Sequence, residues 1–83
     1  MTSEMQLMKA YIEKHLVRTG TLIEENTNLV SSGLIDSLGL TDIIVKLEDI
    51  LKIRIPASKI QPEDLDTLTR MFATANRVGK PLY

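Results

Sequence analysis

Apolar residues at Met5, Met8, Ile12 and Leu16 recur every three or four positions. That spacing places them on one face of a helix over about residues 3–18. Tyr11 and Val17 widen the stripe, and Lys9, Glu13 and Arg18 fall on the polar side. Ser3 followed by Gln6 fits a capping box, and Gly20 past Arg18 fits a helix stop. A second stripe, Leu40, Ile43, Ile44, Leu47, Ile50 and Leu51, predicts a helix over about residues 37–52. Asp42, Lys46, Glu48, Asp49 and Lys52 lie opposite it. Pro62 with Glu63 and Asp64 suits the first turn of a short helix over residues 62–65. Leu65, Leu68, Met71, Phe72, Ala75 and Val78 predict a last helix over about residues 67–78, with Asp66 as its N-cap.

Between the first two helices lies a connection of residues 19–36. Its Glu24-Glu25-Asn26-Thr27-Asn28 run disfavours helix, because Asn and Thr side chains compete for backbone hydrogen bonds. So long a loop has to be pinned; Leu22, Ile23, Leu29, Val30, Leu34 and Ile35 are the candidates. A hairpin is the less favoured alternative, for no two-residue turn separates two alternating runs. Ile53, Ile55 and Pro56 form an extended link. Gly79-Lys80-Pro81 ends the last helix and leaves a frayed tail. The pattern predicts an all-α, four-helix bundle over residues 1–83, three longer helices and one short, with a long loop between helices 1 and 2.

Composition narrows the function classes. Apolar residues make up 43% and charged residues 25%, the balance of a globular chain rather than a disordered one. A net charge of −1 gives no general attraction to nucleic acid or anionic membrane, and the basic residues are not gathered on one helix as in a DNA reader. No apolar run spans a bilayer and no signal pattern opens the chain, so the cytoplasm is the default location. There is no Cys, hence neither a disulfide nor a thiolate metal site. His15 is the sole histidine, too few for a catalytic or metal set. The four methionines read as core filler, and Glu24-Glu25 as a solvated pair.

The chemistry centres on Gly33-Leu34-Ile35-Asp36-Ser37-Leu38. Asp36 is placed to start the second helix and Ser37 to lie in its first turn. Unpaired backbone N–H groups and the positive end of the dipole favour a phosphate there. No acid or base near Ser37 in sequence would make it a hydrolytic nucleophile, so the serine reads as an attachment point. The alternative is a plain capping residue, whose replacement by Ala costs about 1 kcal/mol. Leu38, Thr41 and Val45 form a row running down the helix from Ser37. It reads either as a partner-docking face, with Asp42 and Glu48 beside it, or as a widening of the core contact.

Asp36-Ser37-Leu38 opening an amphipathic helix, Leu47-Glu48 later in it, then Ile53-x-Ile55-Pro56 and Asp66-Thr67-Leu68, together resemble the acyl carrier and peptidyl carrier protein family. The resemblance covers about residues 29–77. It implies a non-enzymatic four-helix bundle with 4′-phosphopantetheine joined to Ser37 through a phosphodiester. It also implies installation of that arm from coenzyme A and Mg²⁺ by a phosphopantetheinyl transferase, and a terminal thiol that holds acyl or aminoacyl cargo as a thioester. A chain without Cys suits this, since the sulfur comes with the arm. Two features differ from carriers of housekeeping fatty-acid synthesis. Gly33 stands four residues before Ser37 rather than three, and Asp42, Glu48 and Asp49 are balanced by Lys46, Lys52 and Arg54. The form is more similar to stand-alone D-alanyl and aminoacyl carriers of specialised pathways. Such a carrier would be a monomer, charged by an adenylating ligase and unloaded by a downstream transfer enzyme. The alternative function is a cofactor-free helical adaptor that uses Leu38, Thr41 and Val45 for contact.

Overall fold

In the computed structural model, which describes residues 1–82, the periodic stripes become three α-helices: α1 (Ser3–His15), α2 (Ser37–Leu51) and α3 (Leu68–Val78). Two 3₁₀ turns, Ala57–Lys59 and Pro62–Leu65, lie between α2 and α3. The second of these is the short fourth member of the bundle. The first was not foreshadowed by any stripe. Met8, Ile12, Ile43, Leu47, Leu65, Leu68, Met71 and Ala75 form the buried centre, joined by Ile23, Leu29 and Ile35 from the long loop and by Ile55.

The ends of the helices correct several expectations. The cap of α1 is Thr2, not Ser3: its hydroxyl accepts from the Met5 amide at 3.1 Å. The helix stops at His15 rather than 18, because the amides of Leu16 and Val17 both turn back to the Ile12 carbonyl. Gly20, at φ +91°, then takes the left-handed conformation of the turn that follows. At the other end of the chain, Thr67 caps α3 by accepting from the Arg70 amide at 3.0 Å. Asp66 was the expected cap, and its carboxylate instead faces the long loop. Two side chains with the same capping chemistry stand next to each other, and only the tertiary contacts choose between them.

Three carboxylates bind backbone beyond their own turn and pin what would otherwise wander. Glu13, expected on the wet side, accepts from the Ile23 amide at 2.8 Å and from Lys9 at 2.9 Å. These bonds, the backbone one first, hold its carboxyl below the usual range. Glu48, expected in the docking face, accepts from the Ile55 amide at 2.8 Å, so it ties the exit from α2 to its own helix. Asp66 binds residues 28–31. Of the six apolar loop residues expected to act as pins, Ile23, Leu29 and Ile35 are buried and Val30 is half-buried. Leu22 and Leu34 are exposed.

The segment after α2 is extended, as Pro56 dictates for Ile55. Ile53–Arg54 forms a two-residue strand β1, antiparallel to β2 (Lys80–Pro81). The expectation of a frayed end fails for residues 80–81, where Ile53 pairs with Pro81 and Arg54 with Lys80. Among the described residues no helix is long and apolar enough to cross a membrane.

Candidate functional site

Ser37 is the first residue of α2 and is exposed. Three local features put it there. Asp36 is extended at φ −87° and ψ −179°, and its Oδ1 accepts from the Gly39 amide at 3.0 Å. This caps the helix and sets its first residue at position 37. Ile35, just before the cap, is buried at 3% exposure. It lies under Gly39, where a Cβ would come within 2.5 Å of Ile35 Cγ2. A glycine in the first turn therefore lets the loop approach closely, while Leu38 beside it points outward. Gly33, at φ +82°, supplies the left-handed residue of the turn that leads in.

The surroundings fit a phosphodiester. Asp36 occupies the Gly39 amide, so the Ser37 and Leu38 amides are the first-turn donors left for an anion. No acidic residue falls within that first turn; the carboxylate beside it is the capping Asp36, whose Oδ1 accepts from the Gly39 amide. No group of three or more His, Cys, Asp or Glu capable of holding a metal occurs among the described residues. His15 instead stacks its ring 5.0 Å from that of Tyr11, tilted by 42°.

The row below Ser37 does not widen the core. Leu38 is 79% and Val45 58% exposed, and Thr41 and Asp42 are exposed between them. Glu48 does not share this freedom, because its carboxylate is held by Ile55. Beside the row, a cavity of about 180 Å³ is lined by Leu40, Thr41, Ile44, Ile60, Pro62 and Leu65, among others. It is smaller than the roughly 300–1,000 Å³ typical of pockets that bury a drug-sized ligand.

Beside Glu13 and Glu48, sequence reasoning misassigned Asp66, only 7% exposed. Burial by itself pushes its carboxyl up. Hydrogen bonds from the Ser31 amide, the Asn28 side chain, the Ser31 hydroxyl and the Val30 amide outweigh that and hold it well below the usual carboxylate range. One signal pointed this way: an Asp-Thr pair at a helix start leaves one of the two caps over, and a long loop nearby has amides in need of acceptors.

A protein family described as "Phosphopantetheine attachment site" matches residues 8–73. The chain is similar to a D-alanyl carrier protein of Streptococcus uberis, 30% identical over 71 residues, which cover 86% of this chain and 87% of the relative. It is also similar to D-alanyl carrier proteins of Streptococcus pyogenes serotype M5 and Streptococcus equi subsp. zooepidemicus. Both are 36% identical, over 44 and 45 residues, or 53% and 54% of this chain. These shorter matches span 56% and 57% of the relatives' own length.

Proposed function

Because the chain belongs to the phosphopantetheine attachment family, we propose that Ser37 is the serine that carries its 4′-phosphopantetheine. Members of this family are carriers rather than enzymes. The chain bears a covalent phosphopantetheine arm and delivers cargo to partner enzymes, among them a phosphopantetheinyl transferase and a ligase. When attached, the arm supplies a thiol that holds an acyl group as a thioester. The observation that carries the choice of Ser37 is its exposure at the first turn of α2, beside the open amides that Asp36 leaves free. Asp36 acts by capping and so orienting the serine. Leu38, Thr41, Asp42 and Val45 form the surface that partners dock on, while Glu48 serves the fold.

Within that reading the cargo is a small aminoacyl group, D-alanine, charged by a separate adenylating ligase and passed to a downstream acceptor. Two features support it. The relatives reported above are D-alanyl carriers. The cavity that opens beside the Leu38–Thr41 row, at about 180 Å³, suits a small acyl group. Adenylation consumes ATP and attachment consumes coenzyme A, which places the work in the cytoplasm. The domain acts there as a monomer, with residues 1–83 as one unit.

The test is an intact mass after incubation with coenzyme A, Mg²⁺ and a promiscuous phosphopantetheinyl transferase. The expected result is a gain of one phosphopantetheine on the wild type and none on Ser37→Ala, with the helical circular dichroism of the variant unchanged. No gain on folded wild-type protein would overturn the reading in favour of the cofactor-free adaptor. Charging the modified protein with D-alanine, L-alanine or a fatty acid then tests the cargo.

A further inference from the structure

Asp66 sits between the second 3₁₀ turn and α3, and all its side-chain hydrogen bonds go to the loop that leads to Ser37. Its Oδ1 accepts from the amides of Leu29, Val30 and Ser31 at 3.0, 2.8 and 3.0 Å. Its Oδ2 accepts from the Ser31 hydroxyl at 2.8 Å and the Asn28 side-chain amide at 2.9 Å. Its main-chain oxygen accepts from the Leu29 amide as well, at 2.7 Å. Donors converge on both oxygens, three N–H groups on Oδ1 and two side-chain donors on Oδ2; a carboxylate accepts at both, whereas a carboxamide has one accepting oxygen and one donating nitrogen. Capping of α3 is already done by Thr67. A buried charge whose partners all belong to one loop is thus left without a role in its own helix.

The loop transmits this hold to the serine. Beyond the clasped residues, the Gly33 amide donates to the Val30 carbonyl at 3.1 Å, and the Ile35 amide to the Leu29 carbonyl at 3.0 Å. Ile35 therefore takes its place from Leu29. Ile35 in turn seats under Gly39, and Asp36 and Ser37 follow it. A second tie runs in the same direction: the Thr69 amide donates to the Glu25 carbonyl at 3.1 Å. The long connection between α1 and α2 would otherwise sample many approaches to α2, and only those that leave Ser37 at the first helical position present it as seen here.

We propose that Asp66 is a positioning residue for the modification of Ser37, holding the approach loop in the conformation that offers the serine to the transferase. This rests on the attachment reading above. Asp66 touches neither the serine nor the incoming group. It acts through the population of the presenting conformer, and a lower population raises the apparent dissociation constant in proportion.

The signature is therefore a rise in KM for the carrier at nearly constant kcat. The experiment follows coenzyme A-dependent modification over a range of carrier concentrations, well below the melting temperature, for the wild type, Asp66→Asn and Ile12→Ala. The last variant loses core packing on α1 and controls for lost stability. Asp66→Asn is expected to raise KM about tenfold with kcat within about twofold, whereas Ile12→Ala leaves KM unchanged. Amide exchange at Ile35, whose N–H donates to the Leu29 carbonyl, is expected to speed up in Asp66→Asn only. If Asp66→Asn does not fold, the double variant Asn28→Ala with Ser31→Ala removes the two bonds to Oδ2 and the same KM rise is expected at smaller size. A folded clasp variant with wild-type KM and exchange would overturn the proposal, as would an equal KM rise in Ile12→Ala. A wild type that gains no mass would overturn the attachment reading instead, and the exchange comparison would still decide whether Asp66 holds Ile35.

Discussion

The amide of Val30 donates to Asp66 Oδ1 at 2.8 Å although 36 positions separate the two residues in sequence. The bond joins the start of α3 to the loop before α2. It has a direct consequence for stability against acid. The carboxyl is held below its ordinary value in the fold, so the unfolded chain binds a proton at higher pH than the folded one. The stabilisation is complete above about pH 5, drains as pH falls through the unfolded value near 4, and is lost only toward the lower folded value. Asp66→Asn, which keeps the shape but loses the charge, is expected to destabilise by about 1–3 kcal/mol at pH 7. Its deficit against wild type should shrink steadily between pH 5 and pH 3. Urea melts across that range check it; a constant deficit would mean the charge is not the source.

Val45 and Leu47 are two residues apart on α2 and face opposite ways, one 58% exposed and the other 1%. Leu47→Ala empties part of the core and should cost roughly 2–5 kcal/mol, lowering the melting temperature of so small a domain by at least about 10 °C. Val45→Asp should leave the melting temperature within about 2 °C, as surface changes do. It should weaken loading by the partner ligase about tenfold, the effect of removing one apolar anchor from an interface. Paired thermal melts and loading rates separate the two; a large stability loss in Val45→Asp would remove Val45 from the docking surface.

Gly39 would gain helix propensity from a methyl group, up to about 1 kcal/mol. The position opposes that gain. A Cβ would meet Ile35 Cγ2 at 2.5 Å, and Ile35 is buried and β-branched, so its methyl cannot swing aside. Overpacking of this kind costs roughly 1–3 kcal/mol. Gly39→Ala is therefore expected to lower stability on balance, by about 1 kcal/mol, and to slow attachment at Ser37 because the approach loop is lifted. Denaturant melts together with the mass assay read both effects; a stabilised variant would show that the loop tolerates the displacement.

The helical stripes, the cap at Asp36 and the exposure of Ser37 follow from residues close together in the chain, and each was legible before any coordinates. The ordered motifs from Asp36 to Leu68 pointed to the carrier family for the same reason. What escaped was the use of Glu13, Glu48 and Asp66. An acidic side chain reads as a wet-side residue, or beside a helix start as a cap, whether water or a distant backbone amide satisfies it. The pairing of residues 80–81 with 53–54 was hidden likewise, since two residues carry no alternation to detect.

The amino-acid sequence by itself determined where helices form, which stripes meet, and which hydroxyl stands at a helix start, because these depend on spacing over one or two turns and on caps a few residues away. Only the tertiary structure decided which of Asp66 and Thr67 caps α3, which loop residues seat in the core, and what holds the loop before Ser37. Those choices rest on donors and acceptors brought together from 10 to 44 positions apart, and such contacts exist only once the bundle has closed.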